Sequence, residues 1–74
     1  MDNIQVEKIN IGNDEYIILD KIPRDGLTYY YLSNINDPKD IMVNKVLDGS
    51  DVATNLDSDE EVKEAMSLYL SKNA

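Results

Sequence analysis

From Ile4 to Ile11 apolar and polar residues alternate (Ile4, Val6, then Ile9, Ile11), and the phase changes between Val6 and Ile9. A period of two marks a strand with one buried face, and a phase change within it marks a bulge or an irregular start. Gly12-Asn13-Asp14 is turn chemistry, because Gly and Asn tolerate positive φ. Residues 15–22 follow as a second strand, rich in the β-formers Tyr16, Ile17, Ile18, Leu19 and Ile22. Pro23-Arg24-Asp25-Gly26 predicts a hairpin, with proline setting φ at the second turn position and glycine supplying the left-handed residue. A third strand, 27–32, carries Tyr29, Tyr30 and Tyr31 in a row. Residues 34–40 read as a loop, since Pro38 cannot continue an interior strand. Residues 41–47 give a fourth strand that stops at Asp48-Gly49. Residues 52–56 give a short last strand or an extended connector.

At Ser58 the period changes. Ser58 and Glu61 form a capping box, the hydroxyl accepting from a backbone N–H while the carboxylate reaches back to another. Asp59 and Glu60 put negative charge at the positive end of the helix dipole, and Lys72 sits near the C-terminal end, where a cation is favoured. Val62, Ala65, Met66, Tyr69 and Leu70 recur at helical spacing, which predicts a helix over 59–71. Strands followed by one amphipathic helix make an α+β fold. The expectation is an antiparallel β-meander of four to five short strands with one C-terminal α-helix packed on one face, in a single domain spanning 1–74. An isolated hairpin is not stable in water, and this helix is the only available cover.

Composition narrows the classes. Seventy-four residues bury roughly 60% of the surface exposed by the unfolded chain, so the core is thin and an enclosed active site is not expected. There is no cysteine, Met1-Asp2-Asn3-Ile4 lacks the basic start of a signal peptide, and no apolar run reaches the ~20 residues of a membrane span. Cytoplasmic placement without membrane contact is the expectation. Fifteen acidic residues against seven basic ones give a net charge of −8, which repels phosphate backbones and argues against direct nucleic-acid binding.

The chain also lacks the usual chemistry. Without histidine or cysteine there is no imidazole base, thiol nucleophile or structural zinc site, and the serines have no histidine to activate them. Three scattered glycines make no phosphate-cradling loop. Asn55-Leu56-Asp57-Ser58-Asp59-Glu60 begins like a calcium loop, but Glu60 and Met66 stand where glycine and glutamate are required. Asp48-Gly49-Ser50-Asp51 reads as a turn. No catalytic residue, cofactor or metal is expected.

Surface residues remain. Alternation puts Tyr29 and Tyr31 on one sheet face, under the helix or open to a partner, and Tyr30 on the other. No Arg or Lys interleaves with them to support base stacking. Asp48, Asp51, Asp57, Asp59, Glu60, Glu61 and Glu64 form an acidic run with no basic residue between Asp48 and Val62. The candidate interaction surface is therefore Tyr29, Tyr30, Tyr31, Asp48, Asp51, Asp57, Asp59, Glu60 and Glu64.

The order of motifs is a strand Glu15-Tyr16-Ile17-Ile18-Leu19, a turn ending in Gly26, Tyr29-Tyr30-Tyr31-Leu32, a strand near Ile41 to Val46, and Ser58-Asp59-Glu60-Glu61-Val62 opening a terminal helix. It resembles the YrzB-like small acidic proteins of Firmicutes over about Asp14 to Leu70. The middle loop around Asn36 to Asp40 is shorter here, and the acidic content is lower. The resemblance implies a cytoplasmic bacterial protein, or one carried by a phage or mobile element, and transfers no catalytic residue. Two functions follow as expectations. One is a non-catalytic interaction module with a protein partner, its oligomeric state open. The other is an acidic mimic of nucleic acid that blocks a nucleic-acid-binding protein.

Overall fold

The structure, a computed structural model, describes residues 7–72. Its elements are β1 (Lys8–Ile11), β2 (Asp14–Arg24), β3 (Leu27–Asn34), β4 (Asp37–Leu47), β5 (Ala53–Asn55) and α1 (Asp59–Lys72). The strands form one antiparallel sheet in sequence order, β1-β2-β3-β4-β5. This is the expected α+β meander with its C-terminal helix. The part of the first strand expected at residues 4–6 lies outside the described residues.

Three boundaries differ from the sequence reading, each for a local reason. Pro23 lies inside β2, opposite Thr28, and the turn is the two residues Asp25 and Gly26. Gly26 has φ 78°, the left-handed conformation such a turn requires. The expected loop over 34–40 is instead a two-residue turn at Ile35 and Asn36, with β4 already under way at Asp37. The Asn34 side-chain oxygen accepts from the Asn36 N–H at 2.9 Å and closes that turn without glycine. Asn34 pairs with Asp37 while Ser33 pairs with Ile41, so Pro38, Lys39 and Asp40 bulge out of the ladder. A proline there removes no ladder hydrogen bond. Finally, β5 is three residues long, 53–55 rather than 52–56.

A second bulge, between Ile18 and Asp20, reverses the alternation of β2. Residues with consecutive apolar side chains thereby serve both faces of the sheet. Ile22, Leu27, Tyr29, Tyr31, Val43 and Lys45 face the helix. Ile18, Tyr30, Leu32, Met42 and Asn44 face the other way.

The core under α1 is built on Tyr29, Tyr31 and Ala65, with Ile22, Leu27, Val43, Leu56, Met66, Leu68 and Tyr69 packed around them. The helix stripe differs from expectation at one position: Leu68 packs inward and Leu70 is exposed. At about 100° per residue Leu70 points about 140° away from Ala65, whereas Leu68 is only about 60° away. The opposite face is not bare. The sheet curls, and Tyr16, Leu32, Asn34 and Asn44 are buried on that side. Tyr16 donates to Asp40 Oδ2 at 2.9 Å, and Asn34 Nδ2 donates to the same oxygen at 3.2 Å.

Candidate interaction surface

The described residues enclose no pocket, and no three acidic side chains among them are grouped to hold a metal ion. Most of the polar side chains with described partners lie at or near the surface. That surface is organised around a polar clasp at the start of α1.

The clasp begins with local helix chemistry. The Ser58 hydroxyl accepts from the Glu61 N–H at 3.2 Å, as a capping box requires. The Glu61 carboxylate reaches back to the Asp57 N–H at 2.7 Å, one residue beyond the usual partner. Tyr29 on β3 donates its hydroxyl to Glu61 at 3.3 Å. Lys45 on β4 sends its ammonium between Asp57 Oδ2, at 2.6 Å, and Glu61, at 3.4 Å. Only 11% of the Lys45 side chain is exposed. The helix start is therefore tied to its own cap, to β3 and to β4 at once.

Electrostatics follow from these partners. The Asp57 N–H, and then Lys45, hold the Glu61 carboxyl below the usual range. Hydrogen bonding to Asp57 is the largest influence pushing the Lys45 ammonium up, with Glu61 adding to it. Burial, and then the Glu61 charge, raise the Tyr29 phenol. Each shift favours the state the group already holds near neutrality, so none of the three is poised to exchange a proton there. The clasp is a fastening.

Of the proposed surface residues, Tyr29 and Tyr31 are buried beneath α1 and are withdrawn from any partner. Tyr30 is half-buried on the opposite face, with the Lys21 ammonium 5.2 Å from its ring centre and Lys21 itself bonded to Glu7 at 2.8 Å. It too is structurally occupied. The acids divide into two groups. Asp57 is tied to Lys45, and Glu64 to Arg24 of β2 at 2.6 Å. Asp48, Asp51, Asp59 and Glu60 are exposed, and no ion pair engages them among the described residues. The acidic run that is unbroken in sequence is thus interrupted in space by cations from β2 and β4.

Seven large apolar side chains are exposed among the described residues: Leu19, Ile35, Ile41 and Leu70, and, toward the end of the sheet where α1 begins, Leu47 (51% exposed), Val52 (64%) and Val62 (40%). Leu47 lies two residues beyond Lys45 on the same face of β4, opposite Leu27. Val62 follows Glu61, whose carboxylate Lys45 touches. Val52 directly precedes the Val46–Ala53 pair, in the loop that Leu47 opens. Leu47 and Val62 thus adjoin Lys45 and Glu61, and Val52 lies in the β4–β5 loop. The alternation Val43, Lys45, Leu47 was the available signal; which of these the helix would leave uncovered depends on where α1 begins.

Comparison with protein-family models, with curated proteins and with solved structures gives no match. The geometry therefore carries the functional reading. No helix among the described residues is long and apolar enough to cross a membrane.

Proposed function

We propose that this chain is a small non-catalytic protein-interaction module of the cytoplasm, and that it binds through the end of the sheet where α1 begins. The observation that supports this is the exposure of Leu47, Val52 and Val62 toward the end of the sheet where the helix start is fastened, with no pocket among the described residues. Single exposed apolar residues are common, but several together around one rigid feature are the usual mark of a contact surface. The resemblance to YrzB-like proteins is compatible with this reading and adds no residue to it.

Acidic mimicry of nucleic acid is the weaker alternative. Mimicry calls for a continuous array of free carboxylates, and the ion pairs at Asp57, Glu61 and Glu64 speak against one.

The test is capture from lysate of the source cells, using wild type and the variants Leu47→Asp and Val52→Asp. Both positions are exposed, so both variants keep wild-type melting curves. Loss of a captured protein in the variants supports the proposal. Equal capture by all three chains disproves it.

A further inference from the structure

The turns at the end of the sheet that carries Leu47 and Val52 are acidic. The backbone N–H of Asp48 donates to the carbonyl of Gly26 at 3.0 Å, which brings the β4–β5 loop against the β2–β3 turn. Asp25, Asp48 and Asp51 thus belong to one end of the sheet, and Asp59 and Glu60 to the first helical turn beside the Lys45 clasp. No ion pair engages any of these five acids among the described residues. Of the cations on β2 and β4 at this end of the sheet, Lys45 is committed to Asp57 and Glu61, and Arg24 to Glu64. Lys8 sits opposite Ile17 and Lys39 follows the Ile35–Asn36 turn, both toward the other end of the sheet. Lys63 points away from the packed face of α1, on the same outer side as Asp59 and Glu60, four and three residues before it. The result is exposed Leu47, Val52 and Val62 next to turns whose acids, Asp25, Asp48 and Asp51, no cation among the described residues pairs.

We infer that the occupant of this surface is a short segment of another protein in which Lys or Arg alternates with large apolar residues. The inference rests on the proposed interaction role and specifies its partner. Apolar side chains of the segment would cover Leu47, Val52 and Val62, and its cations would face Asp25, Asp48 and Asp51. A second copy of this chain is a poor occupant, since it would bring the same acidic turns against these. Complementary charge of this kind steers encounter and rejects wrong partners, while the exposed apolar residues supply holding energy.

The experiment is selection of phage-displayed random peptides on the intact chain, followed by synthesis of an enriched peptide and of a scrambled peptide with the same charge. Enriched sequences combining Lys or Arg with Leu, Ile, Phe or Trp are expected. Binding of the synthetic peptide should weaken about tenfold or more on Leu47→Asp. Replacing Asp25, Asp48 and Asp51 together by Asn should weaken it comparably and flatten its salt dependence. Enriched peptides that lack cations, yet lose binding on Leu47→Asp, overturn the cationic partner while leaving the interaction surface standing. Failure to enrich any peptide, or peptides indifferent to Leu47→Asp, overturns both. Equal binding of the scrambled peptide overturns the inference in favour of unspecific charge attraction.

Discussion

Tyr31 on β3 donates its hydroxyl to the backbone carbonyl of Ala65 on α1, at 2.5 Å, while its ring stacks on Tyr69 with centroids 4.7 Å apart. One side chain thus supplies both an apolar contact and a polar tie between sheet and helix. Ala65 has no bulk of its own, which lets the helix approach closely enough for the hydroxyl to reach. Tyr31→Phe keeps the ring and loses the hydrogen bond, and should cost about 1 kcal/mol in urea unfolding. Tyr31→Ala removes the ring as well and should cost about 3 to 5 kcal/mol. Equal losses for the two variants would mean that the hydroxyl, not the ring, holds the helix.

The same burial sets an alkaline limit. Burial, and then the neighbouring Tyr29, push the Tyr31 phenol from 10.0 up to about 12. A raised phenol favours the neutral, folded form. Its contribution to stability is fully present below pH 10, where both states are protonated, and is lost as pH rises toward 12. Tyrosinate absorbance should therefore show at least one tyrosine titrating late in the folded chain and reverting after denaturation. Tyr31→Phe should remove that late step.

Much of this architecture was legible in the sequence, and the reasons are local. Gly26 marked a tight turn, Ser58 with Glu61 marked a helix start, and the alternation in 27–32 placed Tyr29 and Tyr31 on one face; each is a property of a few neighbouring residues. Pro38 misled because its cost depends on whether a partner strand needs its N–H, and the bulge at Pro38-Lys39-Asp40 answers that from across the ladder. The ion pairs within the acidic run were hidden for the same reason. Lys45 is 12 residues from Asp57 and 16 from Glu61, and Arg24 is 40 from Glu64, so these pairs meet only through the register of β4 and the packing of α1.

Gly26 offers a test of the backbone alone. It sits at φ 78°, and a β-carbon added there would meet nothing within 4 Å. Gly26→Ala should cost about 1 kcal/mol or a little more, from the left-handed conformation without any clash. A neutral substitution in thermal melts would indicate that the turn relaxes to another type.

The helix clasp predicts a pH window. The Glu61 carboxyl is lowered from 4.5, chiefly by the Asp57 N–H and then by Lys45, so its contribution is present above pH 4.5 and is lost as pH falls through the folded value. The Lys45 ammonium is raised from 10.5, so its contribution is present below that pH and is lost on further alkalinisation. Both are complete between the two values. The stability difference between wild type and Glu61→Gln should hold steady from neutrality down to about pH 4.5 and shrink below it. A difference that begins to shrink near pH 7 would contradict this account. Ser58→Ala, which removes the other half of the cap, should cost about 0.5 to 2 kcal/mol.

Lys45→Met separates the two influences on Glu61. The variant keeps the apolar stem that lies beneath the helix and deletes the cation. If the Asp57 N–H is the stronger influence, the Glu61 carboxyl stays below 4.5 in the variant, though less far below than in wild type. A carboxyl that returns to 4.5 or above would show that the cation, not the backbone, fixes its charge. NMR titration of the Glu61 side chain in both chains reads this directly. The outcome also bears on the contact surface, because Leu47 and Val62 flank this pair. If the backbone bond is enough to hold Glu61, the first turn of α1 keeps its place in Lys45→Met, and the amide resonances of Leu47 and Val62 shift little. Broad or doubled resonances at those two residues would show that the cation is what holds the surface in one shape.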